Sequence, residues 1–177
     1  MALQVVSQTQ KWKRVMANTE IVELLRDTTF FRGIDDRYLH DLAPLCRQEE
    51  FANRTTIFEG SDRAKEVYFI VDGRISLAIC DATGCRQVAT IEKGDLMGWA
   101  PLIGRTRLFD SARTISRVKT IVIDADELLK FCTAHTEFGF EFMRRAARVL
   151  AERLSATRIQ LLEIGGVHLP EFQLESD

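Results

Sequence analysis

Hydrophobic positions in residues 9–27, namely Trp12, Val15, Met16, Ile21, Val22, Leu24 and Leu25, recur among polar ones at helical intervals. One or two short helices are predicted there, with Asn18 and Thr19 as N-caps. A second helical pattern opens after Asp35, a good capping residue, and carries Leu39, Leu42, Leu45 and Cys46 before Phe51. From Thr55 the period becomes two: Val67, Phe69 and Val71 alternate with Tyr68, Ile70 and Asp72, and β-branched and aromatic residues dominate. Asp72-Gly73 predicts a hairpin between EVYFIV and RISLAIC, and the turn from Asp81 to Gly84 predicts another onto RQVATI. Gly94-Asp95 and Gly98 punctuate the next segments, and ARTISRVKTIVID reads as two strands or one long bent one. Short strands with a turn about every eight to twelve residues, and no α/β alternation, predict a small antiparallel sandwich or barrel.

The last third returns to helical spacing. Asp124 caps a short helix, with Glu127 three residues on completing a capping box, and a long helix is predicted from about Glu137 to Ile164. At 1.5 Å per residue it would reach about 42 Å, more than a compact domain of this size needs for its own core. Met143, Ala147, Leu150, Leu154, Thr157, Leu161 and Ile164 follow a 4-3-4-3 spacing, the a/d seam of a coiled coil, which predicts a homodimer. A helix packed on its own sheet is the competing reading. Gly165-Gly166 ends the pattern, and the acidic tail to Asp177 is expected to be loose. The expected organisation is an amino-terminal helical segment 1–27, a β unit 28–135, a long helix 136–165 and a tail 166–177.

Composition narrows the function classes. In a chain of 177 residues, 46% hydrophobic, a single core needs no metal or disulfide staple. A formal charge of −2 gives no general attraction to nucleic acid or to an anionic membrane, so an anion site must be local. The basic cluster at the amino terminus follows its short apolar start, unlike a signal peptide, and charges interrupt every apolar run well short of the roughly 20 residues of a membrane span. A cytoplasmic protein without membrane contact is expected. In that setting Cys46, Cys80, Cys85 and Cys132 are expected to be reduced. Cys80 and Cys85 can face each other across the Asp81–Gly84 turn, which makes a redox switch conceivable, but small edge residues are the favoured reading. His40, His135 and His168 stand apart, so no metal site is predicted. No nucleophile elbow, phosphate loop or working carboxylate pair occurs, and no enzyme is expected. Only 13 residues follow Ile164, too few for a winged helix-turn-helix, so DNA binding is not expected.

From Leu24 to Ile164 the chain resembles the cyclic nucleotide-binding domain family. The residues that carry the resemblance are Phe30-Phe31-Arg32-Gly33-Ile34, Ile57-Phe58-Glu59-Gly60-Ser61, the run Val67 to Ile75, and Gly94-Asp95-Leu96-Met97-Gly98. It implies a mainly β fold with flanking helices, an eight-stranded antiparallel β-roll similar to a jelly roll, preceded by amino-terminal helices and followed by a long dimerising helix. It also implies a ligand site at the family's phosphate cassette, a Gly-Glu pair and, about a dozen residues later, an Arg followed by Ser or Ala, Ala and Thr. Here the glutamate position is Trp99 and, in the register ending at Thr114, the arginine position is Ser111. Gly-Trp with Ala112-Arg113 looks like a subfamily of stand-alone bacterial proteins that keep the roll.

The candidate ligand-binding residues are therefore Gly98, Trp99, Ala100, Ser111, Ala112, Arg113 and Thr114. Trp99 offers an indole donor and a stacking face, or else fills the vacated pocket. Arg113 shares a strand face with Ser111 and could supply the missing cation, or else points outward or pairs with Asp110 or Glu141. Five basic residues between Arg105 and Lys119, against Asp110 alone, suit an anion site and equally a solvated strand face. Pro101 suits the first turn of a short helix whose free N–H groups could face an anion. The expected function is a sensor that binds a small anionic ligand, such as a nucleotide, and signals through its helix to an effector protein. The alternative is a degenerate roll that serves as an interaction module.

Overall fold

A computed structural model describes residues 11–14, 16–82 and 84–164. Val15, Thr83, the Gly165-Gly166 stop and the tail lie outside the described residues, as does the side chain of Ile164. Among the described residues, nine strands, β1 (Lys11–Arg14), β2 (Cys46–Phe51), β3 (Thr56–Phe58), β4 (Glu66–Asp72), β5 (Ile75–Asp81), β6 (Gly84–Ile91), β7 (Leu96–Met97), β8 (Ser111–Thr114) and β9 (Val118–Asp124), are joined by four helices. The helices are α1 (Asn18–Asp27), α2 (Asp36–Leu42), α3 (Ala125–Ala134) and α4 (Thr136–Ile164). The strands form two sheets, in the orders β1-β2-β9-β4-β7 and β3-β8-β5-β6, antiparallel throughout. Strands β2 to β9 make the eight-stranded roll expected from the resemblance, and β1 adds a ninth at its edge.

Alternation along β4 and β9 builds two cores from one sheet. Ile70 and Val122 face the second sheet, joining Phe51, Ile75, Leu77, Ile91 and Met97 inside the roll. Val67, Phe69, Ile121 and Ile123 face the helices, where they meet Leu25, Phe31, Leu39, Phe138 and Phe142. Phe138 and Phe142 are almost fully buried, so each contributes about 1.5–3 kcal/mol and fixes the first half of α4 on the roll. Arg145 fastens the same half by donating to the carbonyls of Phe30 (2.6 Å) and Arg32 (2.8 Å). Asp35 and Asp124 cap α2 and α3 as expected, Asp124 accepting from the amides of Asp126 and Glu127.

The structure differs from the sequence expectations at five places. Residues 11–14 are a strand paired along β2: Trp12 is in register with Glu50, and Lys11 bonds the buried Glu49 at 2.7 Å. Helix α1 is capped at Ala17, not at Asn18 or Thr19, because the Glu20 carboxylate reaches back 3.3 Å to the Ala17 amide. Strands begin at Cys46, before Thr55, since β2 pairs along its whole length with β9 and a 3₁₀ turn at Ala43–Leu45 ends the helical run. Asp72-Gly73 is a turn but not a hairpin: β4 pairs with β7 and β9, and β5 with β6 and β8, so the turn crosses between sheets. Gly73 is required because it passes the corner at Arg117, whose carbonyl would lie 2.3 Å from an added Cβ. Finally, Cys80 and Cys85 are joined in a disulfide instead of reduced, since the β5–β6 register sets them directly opposite, with Cα atoms 4.0 Å apart. The expectation of thiols rested on compartment, not on geometry.

Hydrogen bonds from Arg144 (2.8 Å) and then Arg145 (2.5 Å) hold the Glu141 carboxyl down at about 2. Stability from a depressed acid is present above its unfolded value and fades as pH falls through its folded one. Glu141→Gln is therefore expected to cost at most about 1 kcal/mol near neutrality. Thermal melts of the two proteins should converge as pH falls from the ordinary carboxylate range to about 2.

Candidate functional site

The second sheet has a cavity on each side. Phe58, Leu77 and Met97 face the roll interior, and where that interior reaches the edge, Gly98, Trp99, Ala100, Arg105, Asp110 and Arg153 close around a space of about 20 Å³. This is about the room of one water molecule. Gly98 is fixed by the close approach of β4, since a Cβ there would lie 2.5 Å from the Glu66 carbonyl, and its φ of +72° turns the chain out of β7. Trp99 then leads into a single 3₁₀ turn, Ala100–Ile103, with Pro101 in its first turn as expected.

Ser111 to Thr114 lie elsewhere. Ser76 is in register with Arg113, and both point away from the roll interior that Ile75, Leu77 and Ala112 face. The outward side lines an open groove of about 1040 Å³ with Gln87, Arg107 and Phe109. Arg113 is exposed there, its Nε 3.4 Å from the Arg54 carbonyl, and it pairs with neither Asp110 nor Glu141. Ser111 accepts from the Gly60 amide at 2.9 Å, and the buried Thr114 hydroxyl accepts from the Thr55 amide and donates to the Ala52 carbonyl, each at 2.7 Å. These hydroxyls are committed to loop backbone. The expected site residues therefore divide between two cavities, Gly98–Ala100 at the mouth and Ser111–Thr114 at the groove.

The mouth instead receives Asp110, one residue before the expected arginine position, and Arg153, which the sequence reading missed. Arg153 comes from α4. Its Nη2 donates to the Leu96 carbonyl, the nearest carboxylate oxygen is that of Asp95 at 3.9 Å, and its buried Nη1 has no hydrogen-bond partner among the described residues. Burial pulls the Arg153 guanidinium below its ordinary value, against the pull of Asp95 and Asp110. Burial likewise pushes the Asp110 carboxyl above the usual aspartate range, opposed by Arg153. A largely buried cation without a hydrogen-bonded carboxylate is costly for the protein alone, and it is a ready partner for an incoming anion. Among the described residues no group of His, Cys, Asp and Glu could hold a metal, and no helix is long and apolar enough to cross a membrane.

The family model described as the cyclic nucleotide-binding domain matches residues 48–135. A CRP-like cAMP-activated global transcriptional regulator of Mycobacterium tuberculosis is 24% identical over 148 residues, 80% of this chain and 62% of the relative. The chain thus spans less than two thirds of that relative's length. Among solved structures, a cyclic nucleotide-binding domain from Methylobacillus flagellatus superposes with a TM-score of 0.74 at 15% identity, covering 92% of each chain. The c-di-GMP responsive global regulator CLP of Xanthomonas campestris superposes with a TM-score of 0.68 at 16% identity, over 74% of this chain and 65% of its own. Through residues 48–135 the chain belongs to the cyclic nucleotide-binding domain family.

Proposed function

We propose that this protein is a non-enzymatic, cytoplasmic sensor that takes a small anionic ligand at the mouth of its roll and reports occupancy through α4, as a homodimer, to an effector protein. The observation that carries this reading is Arg153, a partly buried helix residue at the mouth whose buried Nη1 has no hydrogen-bond partner among the described residues. A ligand pocket needs about 300 Å³ or more. The mouth offers about 20 Å³, so a ligand enters only if Trp99 or Arg153, and with Arg153 its helix, gives way. Occupancy and helix position are then one equilibrium.

Cyclic AMP and cyclic GMP are poor fits. A charge-assisted contact is worth about 1.5–3 kcal/mol, so losing the two that the family's glutamate and arginine would supply costs roughly two to four orders of magnitude in affinity. Trp99 cannot accept a 2′-hydroxyl, and Asp110 repels a phosphate while ionised. The solved relative responsive to c-di-GMP supports a ligand other than a cyclic mononucleotide on this fold. Sequence-specific duplex binding by the described residues is not expected at a net charge of −2.

Titration of a Trp12→Phe background with cyclic mononucleotides, cyclic dinucleotides and linear nucleoside phosphates, followed by Trp99 emission and by hydrogen exchange along α4, tests the reading. At least one anion should change both signals. Submicromolar affinity for cyclic AMP would refute the weak-binding claim, and silence of both signals up to millimolar anion would remove the sensor. The second reading, an interaction module, is favoured by Ile79, Phe109 and Ile115, which lie 40, 62 and 41% exposed around the outer groove.

A further inference from the structure

We propose that Cys80 and Cys85 are a reversible thiol–disulfide site, exchanging with low-molecular-weight thiols and disulfides, that controls the tip of the β5–β6 hairpin. Both cysteines are exposed and in direct register, two positions that a small thiol can reach and that need no backbone movement to join. Cys46 and Cys132 provide the contrast. Burial pushes both of their thiols up, Cys132 to about 11, and the Cys46 thiol is held against the Leu42 carbonyl, so neither competes for an oxidant.

The bond contributes little that the fold lacks. It closes a loop with a sequence separation of only five, which the ladder already closes through Ile79 with Arg86 and Asp81 with Gly84. What it adds is rigidity at one border of the outer groove, which both cysteines line beside Ile79 and Gln87. In the reductive direction a thiolate attacks one Sγ, the Cys80–Cys85 bond breaks, and its electron pair goes to the other sulfur, which takes a proton from solvent. A second thiolate resolves the mixed disulfide, releasing the oxidised small molecule and leaving the second cysteine sulfur to take up a proton. Two electrons and two protons have then reached the protein, and excess small-molecule disulfide drives the reverse.

The folded full chain is to be equilibrated at graded ratios of reduced to oxidised glutathione, trapped with a maleimide and read by mass spectrometry. Cys80 and Cys85 should label together or not at all, with the same midpoint ratio from either starting state, while Cys46 and Cys132 stay unlabelled until denaturant is added. A pair that resists excess reduced glutathione until the chain unfolds would be a static cross-link, and a pair still labelled in excess glutathione disulfide would be two independent thiols. Either result overturns the proposal. Hydrogen exchange at residues 79–82 and 84–86 should be several-fold faster in the reduced protein, and equal rates would refute control of the tip. Cys80→Ser should fold normally and carry a glutathione adduct on Cys85; a folded variant without the adduct would show that this sulfur is out of reach.

Discussion

Glutamate at both Leu150 and Leu154 is expected to turn a dimer into a monomer. Helix α4 carries two stripes one residue apart. Phe138, Phe142, Ala146 and Val149 face the chain's own core and end at Arg153. The other stripe, Met143, Ala147, Leu150, Leu154, Thr157 and Leu161, is the expected dimer seam, and apart from the partly buried Met143 and Leu150 it faces outward, with Leu154 52% and Leu161 68% exposed. Met143 packs against its own core, so the free seam starts at Ala147. Beyond Arg153 nearly every described position is exposed, and isolated helices shorter than about 12–15 residues are marginal in water. A second copy of the same stripe satisfies both needs at once. Losing four buried leucines across the two-fold removes about 6 kcal/mol or more, on the order of 10⁴-fold in dimer affinity. Light scattering at tens of micromolar checks this: a wild-type monomer, or a glutamate variant that remains dimeric, would assign the stripe to another role.

The parts of this fold that were legible in sequence are those set by local periodicity and capping. Alternation through β4 gave both faces of the first sheet, the 4-3-4-3 spacing gave the length and free stripe of α4, and Asp35 and Asp124 marked helix starts. What was not legible depends on partners distant in the chain. Strand β1 is held on β2 by its ladder and by the Lys11–Glu49 ion pair, which no hydrophobic period reports. Asp72-Gly73 encodes a turn, but the pairing of the strands on either side is decided by β9 and β8, some 40 residues on. The site suffered most from this. Gly98 and Trp99 lie at the mouth, whereas strand parity from Ser111 carries Arg113 to the outer groove. Asp110 faces the mouth instead. Arg153 did leave a trace: it continues the apolar stripe of Phe138, Phe142, Ala146 and Val149 at a position where a cation has no reason to be unless something receives it.

Arg153→Met should separate stability from binding. The methionine fills much of the same space without a charge, so removing a buried guanidinium that no carboxylate fully compensates is expected to leave the melting temperature unchanged or to raise it. Affinity for whichever anion binds the wild type should fall about 10- to 150-fold, the worth of one charge-assisted contact, and α4 should lose its ligand-dependent hydrogen exchange. Asp110→Asn should act oppositely, strengthening binding at neutral pH by removing a carboxylate from the anion's side of the mouth. The wild type should show the same gain on acidification. The charged groups around the mouth are Arg153, Arg105, Asp95 and Asp110, and of these Asp110 has its carboxyl pushed upward by burial. Its protonation, beginning above the usual aspartate range as pH falls, withdraws the repulsion. Affinity should therefore rise as pH falls toward that range in the wild type and stay flat over the same interval in Asp110→Asn. Calorimetry across pH on both proteins decides it: equal slopes would remove Asp110 from the mouth's electrostatics, and an Arg153→Met protein that binds as tightly as the wild type would leave α4 without a link to the ligand.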